Sequence, residues 1–156
     1  MSIYSQQDLT AIRAQRNKRL IALGVPCALL LAILVYSLTA RIEWLTSGST
    51  ILIGVLLIAG YDFAIKPLLC YEKHLKNCLY GRTRECTLPF VRLCEAEDLV
   101  DGVPCRQLLC SDVDGKGRPY DRLFYFDAQK TLPDVQAGDP LLIVHHDLFI
   151  ADLRKA

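Results

Sequence analysis

Two apolar runs dominate the pattern of polar and hydrophobic positions along this chain. The first, Leu20 to Ala40, is 21 residues long and holds no ionisable side chain apart from Cys27 and Tyr36. The second, Trp44 to Tyr61, is 18 residues long and begins only three residues later. A bilayer hydrocarbon core about 30 Å thick needs about 20 helical residues rising about 1.5 Å each. Leu20–Ala40 meets that length, and Asp62 to Ile65 extend the second run towards it if Asp62 lies near the headgroups. Core helices seldom run so far without a polar face. A cleaved signal peptide has a shorter apolar region closed by small residues, and Leu38 stands where one would be needed before Ala40. The two runs predict a tight transmembrane hairpin whose first helix stays in the mature protein.

Smaller signals frame the hairpin. Ser5 followed by Asp8 has the form of a helix-capping box, and Leu9 and Ile12 then share a face. A helix starting near Gln6 and flowing into the first span is expected. Gly24 and Pro26 predict a kink in its early turns. Ala28 and Ala32 have the small-xxx-small spacing that lets helices approach, a weak pattern because alanine is common in any span. Asp62 sits four residues before Lys66, the spacing of a helical ion pair. From Pro67 to Tyr80, Leu68, Leu69, Tyr71, Leu75 and Leu79 keep a helical period, with Glu72, Lys73 and Lys76 between them. Gly81 is expected to end that helix in a positive-φ conformation. Cys70 and Cys78 lie at a depth where acylation occurs, although apolar packing is their plainer use.

Beyond Gly81 the period shortens to that of strands. Glu85–Cys94 is the first run, and Pro89 inside it calls for an edge or a bulge. Val100-Asp101-Gly102-Val103 is a hairpin signal, since both central positions need φ > 0. It pairs the first run with Pro104–Ser111. Asp112 to Gly117 makes the next turn. Tyr120–Asp127, with Leu123, Phe124, Tyr125 and Phe126, reads as a strand buried on both faces. Leu132 to Asp139 is a loop, and Leu141–His146 with Leu148–Leu153 form a last hairpin around Asp147. Five short, meandering strands predict a small closed or half-closed barrel, since closure is a natural remedy for exposed edges.

The fold class expected is therefore an α+β membrane protein: an N-terminal transmembrane helical hairpin, then a small five-stranded antiparallel β-barrel of the OB or SH3-like kind. Its organisation reads as residues 1–19, a cytoplasmic basic helix; 20–40, the first span; 41–48, an outer turn; 49–65, the second span; 66–81, a juxtamembrane helix; and 82–156, a cytoplasmic β-domain.

Composition alters this little, because the hydrophobic share of 52% is only modestly above average and is concentrated in the two runs. Charge adds more. Residues 1–81 carry eight Lys/Arg against four Asp/Glu, whereas 82–156 carry ten against thirteen. An acidic distal half is a poor surface for nucleic acid. Near the helix ends, Arg13, Arg16, Lys18 and Arg19 precede the first run. Arg41 alone lies in the turn, and Lys66, Lys73, Lys76, Arg82 and Arg84 follow the second. Basic residues are retained on the cytoplasmic side, so both termini are expected there, in the inner (plasma) membrane. Trp44 suits the outer interface. The cysteines, apart from Cys27 in the first span, then face a reducing compartment, and no disulfide framework is expected.

No residue is assigned to catalysis, cofactor binding or metal binding. Cys78, Cys86, Cys94, Cys105 and Cys110 lack the paired spacing of structural zinc sites. His145 and His146 are neighbours on a strand and point to opposite faces. A thiol enzyme or redox sensor would need a cysteine activated by a nearby base, for instance His145 or His146 beside Cys105 or Cys110. Asp112 and Asp114 before Gly115 resemble part of a calcium loop, but Cys110 stands at its first ligand position and Asp121 at its last, so a hairpin turn is the better reading. The expected partners are the lipid bilayer and a protein, or a second copy, bound through the β-domain or the helices. An accessory subunit of a membrane transporter is the further alternative.

Asp101-Gly102-Val103, Leu123-Phe124-Tyr125-Phe126-Asp127 and Gly138-Asp139-Pro140-Leu141, with the helical hairpin before them, resemble small uncharacterised two-span membrane proteins of Gram-positive, clostridial-type bacteria. That resemblance covers about half of the chain and implies no activity. The architecture is also similar, more distantly, to NfeD-like proteins, whose cytoplasmic OB module assembles with membrane partners. It carries over no site residue.

Overall fold

In the computed structural model, which describes residues 3–156, the chain forms two compact units: residues 3–9 with Cys70–Ala156, and Thr10–Leu69. Helix α1 spans Gln6–Ala40, α2 spans Glu43–Ala59, a π-helical segment covers Gly60–Ile65, and α3 spans Lys66–Tyr80. The stretches Gln6–Ala40 and Glu43–Tyr80 are long and apolar enough to cross a membrane, with mean hydropathy of 2.4 and 1.8 in their most apolar windows.

The start of α1 follows from its sequence. The Ser5 amide donates to Asp8 Oδ2 at 2.9 Å, and the Asp8 amide donates to Ser5 Oγ at 3.2 Å. That reciprocal pair satisfies two of the donors a helix leaves open at its N-terminus. The helix runs through Pro26 without a break.

Within the second unit, the connection between α1 and α2 is shorter than the 41–48 turn expected. Only Arg41 and Ile42 lie outside the helices, with Arg41 at φ 53 and the Ile42 amide donating to the Ser37 carbonyl at 3.0 Å. Ser37, buried, accepts from the Thr46 hydroxyl at 3.0 Å. The packed face of α1 runs through Leu23, Cys27, Leu30, Leu34 and Ser37. Ala28 and Ala32 lie on the exposed side, so their spacing is not what brings the helices together. Gly60 does that, since a Cβ there would stand 2.4 Å from Leu23 Cδ1. In the π-helical segment the Lys66 amide reaches back to the Tyr61 carbonyl, and the Arg19 guanidinium donates to the Ala64 carbonyl at 3.2 Å. Asp62 and Lys66 form the expected ion pair at 3.4 Å. The outward side chains, among them Leu29, Val35, Ile51, Ile58 and Phe63, are large, apolar and exposed.

The other unit is a closed barrel of β1 (Arg84–Val100), β2 (Val103–Val113), β3 (Pro119–Asp127), β4 (Pro140–His146) and β5 (Phe149–Lys155). Around the barrel the order is β1-β2-β3-β5-β4. This is not the antiparallel meander expected. The first three strands are consecutive, β4 returns to pair with β1, and β5 closes the gap through one parallel contact, Tyr125 opposite Phe149. The other four pairings are antiparallel.

β1 is longer than expected because it serves two partners. Its first half pairs with β4 as far as Pro89 opposite Pro140, and its second half pairs with β2 from Phe90 opposite Cys110. The register shifts between Phe90 and Arg92, so Pro89 stands beside a bulge, where a missing N–H is tolerated. At the hairpin tip Val100 faces Val103, with Asp101 at φ 51 and Gly102 at φ 79 as a primed turn requires.

Alternation supplies the core. Leu88, Phe90, Leu108, Cys110, Phe124, Phe126, Leu141, Ile143, Ile150 and Leu153 point inward, with Ile3 packed against them. On β3 the inward Phe124 and Phe126 are fully buried, whereas Leu123 and Tyr125 are only half-buried, so the strand is not covered equally on both faces. Burying each phenylalanine contributes about 1.5–3 kcal/mol. Gly81 follows α3 as expected but not with positive φ. Its missing Cβ instead makes room for the Asn77 carbonyl, which would be met first, and for the His146 ring, which a methyl group would meet at 2.8 Å.

Candidate functional site

The most chemically distinctive place in the barrel unit is a buried polar cluster that its helical elements bring to the end of β3. Tyr71, His74 and Cys78 share one face of α3, and all three are buried. The segment before α1 contributes Tyr4, and the last residue of β3 contributes Asp127, only 2% exposed.

Asp127 organises the cluster. Its Oδ2 accepts from the Tyr71 hydroxyl at 2.6 Å and from the Tyr4 hydroxyl at 3.3 Å, while Oδ1 accepts the Gln129 amide at 2.9 Å. Tyr4 Oη also lies 2.9 Å from His74 Nε2. With the Tyr4 proton directed to Asp127, the remaining arrangement has His74 Nε2–H donating to Tyr4 Oη. A buried carboxylate held by three donors meets the requirement that interior charge be hydrogen-bonded. The rings of Tyr4 and Phe149 meet His74 edge-on at 5.5 and 4.8 Å between centroids. Lys130 pairs with Asp8 at 3.1 Å and sits 5.7 Å over the Tyr4 ring.

Burial sets the electrostatics. It raises the Tyr4 and Tyr71 hydroxyls far above their ordinary range, reinforced by the neighbouring Asp127 carboxylate. Burial lowers His74, with His146 adding to that and Asp127 and Asp101 opposing it. The Cys78 thiol, 3.7 Å from His74 Nε2, is pushed up to about 12 by burial and then by Asp127. Cys105 and Cys110 are also pushed up to about 12, again chiefly by burial. A thiol at that value is protonated near neutrality and is a poor nucleophile. The cluster holds a neutral histidine and locks segments together, and it offers no activated group for covalent chemistry.

Of two clefts on this unit, only the first touches the cluster, through His74 and Cys78. That one, of about 400 Å³, runs along α3 past Lys73, His74 and Asn77 to Asp101, His146 and Asp147. The other, of about 330 Å³, lies among Arg82, Arg84, His145, His146 and Asp147. His145 points inward against Phe124 at 5.1 Å and is 4% exposed, whereas His146 is half-buried on the other face. His145 Nδ1 lies 2.5 Å from the Asp147 carbonyl, and His146 Nδ1 lies 2.8 Å from the Arg82 carbonyl.

The residues weighed from sequence are distributed otherwise. A histidine–cysteine contact forms between His74 and Cys78, at 3.7 Å, a pair not weighed above. Among the described residues no group of three or more His, Cys, Asp or Glu side chains is placed to hold a metal ion. Asp112 accepts from Tyr120 at 3.0 Å and Arg122 at 3.1 Å, and Asp114 closes the β2–β3 turn through the Gly117 amide. Tyr4 and His74 are not singled out by the sequence, which marks Tyr71 only as part of an apolar stripe and Asp127 only as the end of a strand. The i, i+3, i+7 spacing of Tyr71, His74 and Cys78 was the one local signal available. Comparison with protein-family models, with curated proteins and with solved structures finds no match.

Proposed function

We propose that this is a two-span integral protein of the bacterial inner membrane, with both termini cytoplasmic, displaying an OB-type barrel as a protein-interaction or assembly module. The observation that carries the reading is the membership of residues 3–9 in the barrel unit, through Tyr4 to His74 and Asp127 and through Asp8 to Lys130. A chain that leaves that unit at Thr10 and rejoins it at Cys70 crosses a bilayer an even number of times. Two apolar helices with exposed Leu29, Val35, Ile51 and Ile58 supply one crossing each.

The side is chosen by the basic residues, four and five on the flanks against Arg41 alone in the turn. The OB reading is supported by strand order. A fourth strand returning beside the first is the Greek-key arrangement, and β5 bridges β3 to β4. The likeness to NfeD-like anchored modules and to clostridial-type two-span proteins belongs to this same proposal. The raised Cys78, Cys105 and Cys110 thiols weigh against the redox alternative.

Sidedness is tested with a tag after Ala156 in intact spheroplasts. The tag is expected to resist added protease until the membrane is opened, and its digestion beforehand sinks the topology. The interaction role is tested by photo-crosslinking in native membranes from exposed barrel positions Leu99 and Val113 and from helix positions Ile51 and Ile58. Protein adducts from the barrel support the module reading, whereas adducts from the helices alone favour an accessory subunit of a transporter.

A further inference from the structure

We propose that the adjoining clefts at His146 form a binding site for a small phosphate ester, gripped by Arg82, Arg84 and Lys73. All of its residues lie within the barrel unit, so it does not depend on the membrane reading.

The first support is the state of the cations. Lys66, Lys76, Lys130, Arg122, Arg154 and Lys155 are each paired with a carboxylate. Lys73, Arg82 and Arg84 are exposed and form no ion pair among the described residues, as is true of Arg92, Lys116 and Arg118, but only these three line the clefts. Two guanidinium groups two residues apart at the start of a strand offer the planar donors that match phosphate oxygens.

The second support is the way His146 is held. Its Nδ1–H donates to the Arg82 carbonyl at 2.8 Å, and its ring rests on Gly81, where any Cβ would lie 2.8 Å from it. Those constraints fix the ring between the two clefts and turn Nε2 towards Asp147 Oδ2, 3.7 Å away. With Nδ1–H spent on the Arg82 carbonyl, Nε2 of the neutral ring is an acceptor, so the fixed ring suits a ligand hydroxyl or amine beside the arginines rather than the phosphate itself.

The third support limits the ligand. Asp101 and Asp147 share the lining, so the site is mixed in charge rather than uniformly basic. A polyanion would meet both carboxylates. A single phosphate bearing a hydroxyl or amine would place its anion on the arginines and its donor on an aspartate. That chemistry is shared by free phosphate monoesters and by phospholipid headgroups.

The test titrates the full chain in neutral detergent, by calorimetry, with inorganic phosphate, glycerol phosphate and short-chain phosphatidylglycerol. Saturable binding of at least one probe is expected, weakened at least about tenfold in the Arg82→Gln/Arg84→Gln double variant and unchanged in Lys116→Gln on the β2–β3 turn. Glycerol phosphate binding as tightly as phosphatidylglycerol assigns a soluble ligand, and phosphatidylglycerol alone assigns a headgroup. No binding of any probe overturns the proposal, as does binding that survives intact in a folded double variant. Should that variant fail to fold, the wild type decides. Its affinity must fall at least severalfold between about 0.05 and about 0.5 M salt, and salt-insensitive binding overturns the site.

Discussion

The Tyr4 hydroxyl lies 2.9 Å from His74 Nε2 although 70 residues separate them. The bond ties the segment before α1 to helix α3 inside the barrel unit, and Asp127 receives both Tyr4 and Tyr71 beneath it. Tyr4→Phe keeps the ring and removes the hydroxyl, leaving a buried histidine and a buried carboxylate each one partner short. That substitution is expected to destabilise the chain by about 1–3 kcal/mol. Tyr4→Ala also empties the ring's site and is expected to cost about 3–5 kcal/mol. Thermal unfolding of the full chain in detergent measures both. Equal melting of wild type and Tyr4→Ala refutes the tether.

The same histidine makes stability depend on pH. Burial depresses its pKa in the folded chain, so the unfolded chain binds a proton more readily. Above the ordinary histidine value of about 6.5 neither state is protonated and no stability is lost. As pH falls below it, the unfolded state takes up the proton first, and stability declines towards the folded pKa. His74→Gln, which keeps a donor without titrating, is expected to flatten the decline that begins below about pH 6.5. Chemical denaturation at a series of pH values checks this, and an unchanged slope in the variant removes His74 as its source.

What could be read from sequence was local chemistry. The Ser5–Asp8 cap spans four residues, the Asp62–Lys66 pair five, and the Asp101-Gly102 turn two, so each is complete within its own stretch of chain. The strand order was misread because it depends on Arg84–Pro89 finding Pro140–His145, a pairing no short window contains. Gly81 misled partly for the same reason, since it leaves room for His146, far along the chain, as well as for the Asn77 carbonyl four residues back, and needs no left-handed backbone. The polar cluster was the least legible part. Tyr4 and Asp127 are 123 residues apart, and nothing in the short stretch around either marks it as a partner of the other.

Thiol reactivity separates packing from chemistry. Cys78, Cys105 and Cys110 are buried and each is pushed up to about 12, so little thiolate exists at pH 8. Cys70 and Cys94 are half-buried and accessible in part. Native-state alkylation is expected to modify Cys70 and Cys94 first and to reach the three buried thiols only on unfolding. Peptide mass spectrometry resolves the order. Rapid labelling of Cys78 would revive the redox reading, because His74 is the base beside it.

Gly60 tests the helix pair. A Cβ at this position would stand 2.4 Å from Leu23 Cδ1 and 2.9 Å from Cδ2, so Gly60→Ala forces the leucine out of its rotamer or the helices apart. The obstruction is the flexible end of a side chain, and the expected cost is about 1–3 kcal/mol. Leu23→Ala alone leaves a void and also destabilises. In the double variant the new methyl occupies part of that void, so the combined loss is expected to be smaller than the sum of the single losses by at least about 0.5 kcal/mol. Unfolding of all four chains in one detergent gives the coupling. Strict additivity would mean that Gly60 and Leu23 do not meet, and that the close approach of the two helices lies elsewhere.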